Sequence, residues 1–123
     1  MSTDVNSFYR EWPSRISHAR ASAPDAAKGF GAMFQSVMRP GALSVSEKEL
    51  LALAIGMSVR CEPCIYIHVE KALKAGATRE QVLEAAGVAV MMQGGPTYTY
   101  LPKVVEALDE LKPEEAAAVG VAT

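Results

Sequence analysis

"LSVSEKELLALAIGMSVRCEPCIYIHVEKALKAGATREQ", residues 43–81, decides the fold. Leu50, Leu53, Ala54 and Met57 recur at helical spacing and form one apolar stripe. Ser46 stands three residues before Glu49, the spacing of a capping box, so a helix is expected to open at Ser46. Pro63 suits the first turn of the next helix, where its missing N–H costs nothing. Ile65, Val69, Ala72 and Leu73 continue on one face, and Gly76 suits the C-terminal cap. Thr78 and Gln81 repeat the capping-box spacing and open a further helix that should run to about Gln93.

The same periodicity extends in both directions. Val5, Phe8, Trp12 and Ile16 share one side of a first helix, which Pro13 should break or kink. Pro24 and Asp25 read as the opening turn of a second helix, with Phe30, Met33, Phe34 and Val37 on its apolar face. "RPGALS" at 39–44 is a loop, and "QGGP" at 93–96 stops the helix before it. Leu101, Val104, Val105, Leu108 and Leu111 mark a last helix; Pro113 and the alanine-rich end read as a fraying tail. No stretch alternates as a strand would. The fold expected is all-α, one domain over 1–123, with its core at about 24–111 and peripheral segments at 1–22 and 113–123.

Composition narrows the functional class. A chain of 123 residues that is half apolar can build one compact core. Six methionines and the run "AGVAVMMQ" leave apolar surface that favours a homo-oligomer. A net charge of −2 argues against nucleic acid, and no basic cluster suits a membrane surface. The N-terminus lacks the charged start and apolar stretch of a secretory signal, and the apolar runs are too short to span a bilayer. A soluble cytoplasmic protein is the expectation. In a reducing compartment, two close cysteines point to redox chemistry or metal binding rather than to a structural staple.

Both cysteines and one of the two histidines fall within "CEPCIYIH". On a helix that starts near Pro63, Cys61 lies at the N-terminus, Cys64 in the first turn, and His68 one turn further on the same face. A helix N-terminus favours thiolate. A nearby histidine can take the thiol proton. A second cysteine can resolve a sulfenic acid or mixed disulfide into an internal disulfide. Glu49, on the preceding helix, could orient His68 as the third group of a triad does.

Residues 43–111 resemble the AhpD-like, carboxymuconolactone decarboxylase superfamily, on the "KELLALA" helix, the Cys-x-x-Cys-x-x-x-His run and the Gly-Gly-Pro stop. The resemblance implies an all-α helical bundle assembled as trimers or hexamers. It implies a thiol-dependent peroxidase and disulfide reductase, recharged by a dithiol electron donor such as lipoamide and able to serve a peroxiredoxin-like partner. By position, the relay glutamate matches Glu49, the redox cysteines match Cys61 and Cys64, and the relay histidine matches His68. The resemblance assigns the attack on peroxide to Cys64 and resolution to Cys61, whereas helix-end exposure alone ranks Cys61 first; both assignments stay open. The chain departs from the alkyl hydroperoxidase D branch at Pro63, where that branch carries a second histidine, and it is too short for the two-repeat form. No metal or organic cofactor is implied.

Blander readings stand beside these. The cysteines could be two small buried apolar residues, or with His68 three ligands of a zinc site that Glu49 or His18 would complete. His68 could be a core histidine, and the Ser46 capping box would explain Glu49 without chemistry. His18 reads as a surface residue, Phe8 and Trp12 as packing or interface residues, and Tyr98 and Tyr100 as packing residues or part of a pocket mouth. Glu62 should be solvated, where its charge opposes thiolate formation slightly. A decarboxylase-like enzyme acting on a small carboxylated lactone, and a non-catalytic metal-binding helical assembly, are the alternative functions.

Overall fold

A computed structural model describes residues 4–120, with side chains described through Ala116. The helices are α1 (Val5–Ser22), α2 (Pro24–Met38), α3 (Val45–Ser58), α4 (Glu62–Lys74), α5 (Arg79–Gln93), α6 (Gly95–Tyr98), α7 (Leu101–Leu111) and α8 (Pro113–Gly120). The described residues contain no strand, so the fold is all-α. No helix among them is long and apolar enough to cross a membrane.

The centre of the bundle is α4, packed against α3 on one side and α7 on the other, with α5 closing on α3. Ile65, Tyr66, Val69 and Ala72 of α4 are fully buried with Leu53 and Met57 of α3, Val82 and Ala86 of α5, and Val104 and Leu108 of α7. Each large apolar side chain so enclosed contributes about 1.5–3 kcal/mol. The expected stripes of α3, α4 and α7 thus face the core, with Leu50, Ala54, Leu73, Leu101 and Leu111 half-buried at its margin, except Val105 of α7, which faces a surface depression instead.

Three local expectations change. The capping box of α3 is Ser44 with Glu47, not Ser46 with Glu49: the Glu47 N–H donates to Ser44 Oγ at 3.0 Å and the Ser44 N–H to Glu47 Oε1 at 2.8 Å. "SVSEKE" contains both registers, and the earlier one frees the Glu49 side chain for another partner. The Ser44 hydrogen bonds hold the Glu47 carboxyl below its ordinary value. Pro13 does not interrupt α1, which runs unbroken from Val5 to Ser22. The helix is held there by packing: Phe8 is buried, stacks on Trp12 at 5.2 Å and meets Tyr66 at 5.2 Å, while Tyr9 Oη donates to the Tyr66 carbonyl at 2.6 Å. The end read as a fraying tail forms α8, with Pro113 in the opening position proline favours.

The opening of α2 at Pro24 and the loop at 39–44 are as expected, but the apolar face of α2 is not turned to the core. None of its residues is buried; Phe30, Met33 and Val37 are more than half exposed. A second exposed stripe, Leu51, Ile55 and Val59, runs along the outside of α3, and Val88, Met91 and Met92 add to the exposed apolar surface on α5.

Candidate redox site

The turn between α3 and α4 sets the position of the first cysteine. Arg60 takes a left-handed backbone conformation (φ 56°). Its N–H donates to the Met57 carbonyl at 3.0 Å, and the Cys61 N–H to the Gly56 carbonyl at 2.9 Å. These are the two bonds of a Schellman motif, formed here with arginine where glycine is usual. Gly76 (φ 101°) ends α4 by the same motif, with Gly76 N–H to Leu73 and Ala77 N–H to Ala72.

Cys61 is the N-cap of α4, and its Sγ accepts the Cys64 N–H at 3.4 Å. Cys61 and Cys64 are joined as a disulfide, with Cα atoms 5.3 Å apart. Both are half-buried. Gly56 allows α3 to lie against this turn: a Cβ at position 56 would meet Cys64 Cβ at 2.9 Å.

His68 follows one helical turn after Cys64. Its Nδ1 lies 2.6 Å from Glu49 Oε1, with the two side chains only 15% and 5% exposed. Glu49 is therefore not a helix cap but the buried partner of His68. With an ionised carboxylate and a neutral imidazole, Nδ1 donates in that contact and Nε2 holds the lone pair. In the disulfide form the described residues show no hydrogen bond from His68 to either sulfur. Phe34 of α2 stacks on the imidazole at 6.4 Å and 20°, and Lys71 Nζ lies 5.4 Å from the centroid of the Phe34 ring. The structure thus forms two pairs from the four expected residues: Glu49 of α3 with His68 of α4, and Cys61 with Cys64 at the start of α4, one helical turn before His68.

Glu62, expected to be solvated, pairs with Lys103 Nζ of α7 at 2.5 Å. Its charge is compensated rather than left facing the thiols. Phe34, Gly56 and Lys103 were not anticipated. The glycine inside "LAIGMS" was a visible signal of close approach; Phe34 and Lys103 carry no signal without the tertiary fold. His18 is exposed and belongs to no site. Tyr98 is exposed beside a shallow depression that also involves Leu101 and Val105, and Tyr100 lies under Lys103 at 5.7 Å. Among the described residues no three His, Cys, Asp or Glu side chains are grouped to hold a metal ion.

A helical bundle with a Cys-x-x-Cys at the start of its central helix and a Glu–His pair behind it agrees with the likeness of this chain to known proteins. The profile of the carboxymuconolactone decarboxylase family matches residues 24–110, and the chain belongs to that family. Uncharacterised relatives include "protein 4 in cox locus" of Paracoccus denitrificans, 40% identical over 77% of this chain and 83% of the relative. Another, from Cupriavidus necator, is 30% identical over 90% of this chain and 98% of the relative. Among solved structures, a carboxymuconolactone decarboxylase family protein of Legionella pneumophila in its apo form superposes with a TM-score of 0.81 at 33% identity, covering 89% of this chain and 97% of that one. A family member from Thermotoga maritima, whose description raises involvement in an antioxidative response, gives 0.68 at 33% identity, covering 75% and 95%.

Proposed function

We propose that this chain is a cytoplasmic thiol-disulfide oxidoreductase with peroxidase activity. The observation that carries the reading is the Cys61–Cys64 pair at the N-terminus of α4 with the Glu49–His68 pair one turn behind it. In the reduced protein His68 Nε2 takes the proton of Cys64, and Glu49 holds the imidazolium that results. The Cys64 thiolate attacks a hydroperoxide oxygen. The O–O bond breaks, the leaving alkoxide takes a proton from His68, and Cys64 becomes a sulfenic acid. Cys61 then attacks that sulfur, the S–S bond forms and water leaves. The peroxide is reduced by two electrons and the dithiol oxidised by two. A dithiol donor restores the thiols by thiol–disulfide exchange and is itself oxidised to a disulfide; a partner protein's disulfide would instead take the place of the peroxide as oxidant.

Homo-oligomeric assembly is part of the proposal. Among the described residues, eleven large apolar side chains are 42–71% exposed. They are concentrated on α2, α3 and α5, and exposed apolar surface of this kind marks association. Met33→Glu on α2 should lower the subunit number in sedimentation, and an unchanged number would remove α2 from the interface.

The test of the chemistry is peroxide consumption driven by dihydrolipoamide. Cys64→Ser should abolish it, and Cys61→Ser should leave a single turnover ending in a trapped sulfenic acid. Activity on a small carboxylated lactone that survives loss of both cysteines would refute the redox reading and favour the decarboxylase one.

A further inference from the structure

Glu62 lies between the two cysteines, in the first turn of α4, where a carboxylate suits the helix dipole. The same charge disfavours a neighbouring thiolate. The sequence therefore sets two demands against each other at one position.

Lys103 is placed to relieve that conflict. It occupies the first turn of α7, where a cation opposes the dipole of its own helix, so α7 gains nothing from it. Its Nζ instead reaches 2.5 Å from Glu62 Oε2, with the two side chains only 18% and 21% exposed. The Tyr100 ring, 5.7 Å from Nζ, flanks it. An enclosed pair of this kind is screened less than a surface pair. Glu62 acts on the buried Tyr66 phenol together with Glu106 of α7 and Asp4 before α1; His68 of α4 pairs with Glu49 of α3, and exposed Arg60 precedes Cys61.

We propose that Lys103 is a positioning residue of the redox site: by neutralising Glu62 it keeps the reduced Cys61–Cys64 pair ready to ionise. The inference rests on reading these cysteines as the reacting thiols, but its test needs no peroxide.

The reduced protein is alkylated with iodoacetamide across pH, and modification of each cysteine is followed by mass. Lys103→Met should raise the reactive thiol's pKa by about half to one unit and slow alkylation at pH 7 several-fold. Lys103→Arg should restore the wild-type profile. Glu62→Gln alone should lower the pKa, and Glu62→Gln added to Lys103→Met should return it close to wild type. A Lys103→Met profile that overlays wild type, or a double variant that stays as slow as the single one, would overturn the proposal. If Lys103→Met does not fold, Lys103→Gln takes its place in the same cycle, and the same outcomes support or overturn the proposal. A protein inert to peroxide that still shows these shifts loses the peroxidase reading and keeps this one.

Discussion

Gly56→Ala should destabilise the protein, although alanine is the better helix former. A Cβ at position 56 would lie 2.9 Å from Cys64 Cβ and 3.6 Å from the Cys64 carbonyl carbon. Carbon atoms pack at about 3.5–4.0 Å, so α3 and α4 must part by roughly 0.6 Å or more at the cysteine turn. The obstructing atom cannot swing aside, because Cys64 Cβ is fixed to the α4 backbone and its sulfur is bonded to Cys61. Overpacking of this kind costs about 1–3 kcal/mol. The gain in helix propensity returns about 1 kcal/mol. The net expectation is a loss of up to about 2 kcal/mol. Gly87 is the control: it lies within α5, is exposed, and a Cβ added there would have nothing within 4 Å. Gly87→Ala should gain about 0.5–1 kcal/mol. Urea unfolding of the oxidised proteins, at one fixed protein concentration because assembly shifts apparent stability, reads both. Two changes of the same sign would refute the close approach of α3 to Cys64.

Arg60→Gly removes a side chain from a left-handed turn without disturbing the Schellman bonds, and should stabilise the fold by about 1 kcal/mol in the same assay. Tyr66 is fully buried, and burial with the nearby Glu62 pushes its phenol up to about 12; an unfolded tyrosine ionises near 10. The neutral form is the one the fold holds, so this stability is fully present below about pH 10 and is lost as pH rises towards 12. Tyr9 is raised in the same direction by burial. Tyr66→Phe should flatten the upper part of that loss and leave neutral-pH stability unchanged or higher, since its hydroxyl has no hydrogen-bond partner among the described residues. Glu49→Gln keeps an acceptor for His68 Nδ1 but removes the charge. It should slow thiol oxidation on the order of tenfold or more while the melting curve stays near wild type, and equal rates would take Glu49 out of the mechanism.

The sequence carried the helices well where local chemistry is complete. Thr78 and Gln81 form the capping box their spacing announced, and Pro24, Pro63 and Gly76 sit where their backbone preferences put them. It failed where two local answers were equally good. Ser44–Glu47 and Ser46–Glu49 have the same spacing, and the choice is made by His68, nineteen residues away, which gives Glu49 a buried partner. Pro13 reads as a breaker because its cost is local, whereas Phe8, Tyr9 and Trp12 offset it through contacts with one another and with α4. Amphipathicity located the apolar face of α2 but says nothing of what covers it. The Glu49–His68 and Cys61–Cys64 pairs could be read from the sequence because three of their four members lie within the first two turns of one helix. Lys103 was not, because its partner is 41 residues distant and lysine on a helix is ordinarily a solvent residue.

The most direct test of the central claim is the rate at which hydroperoxide converts the fully reduced protein to the Cys61–Cys64 disulfide, followed by intact mass across pH. The account predicts a fast stoichiometric loss of two hydrogens, controlled by a thiol that ionises well below the ordinary cysteine value of about 8.5. A slow reaction controlled by a thiol that ionises at that ordinary value would contradict it.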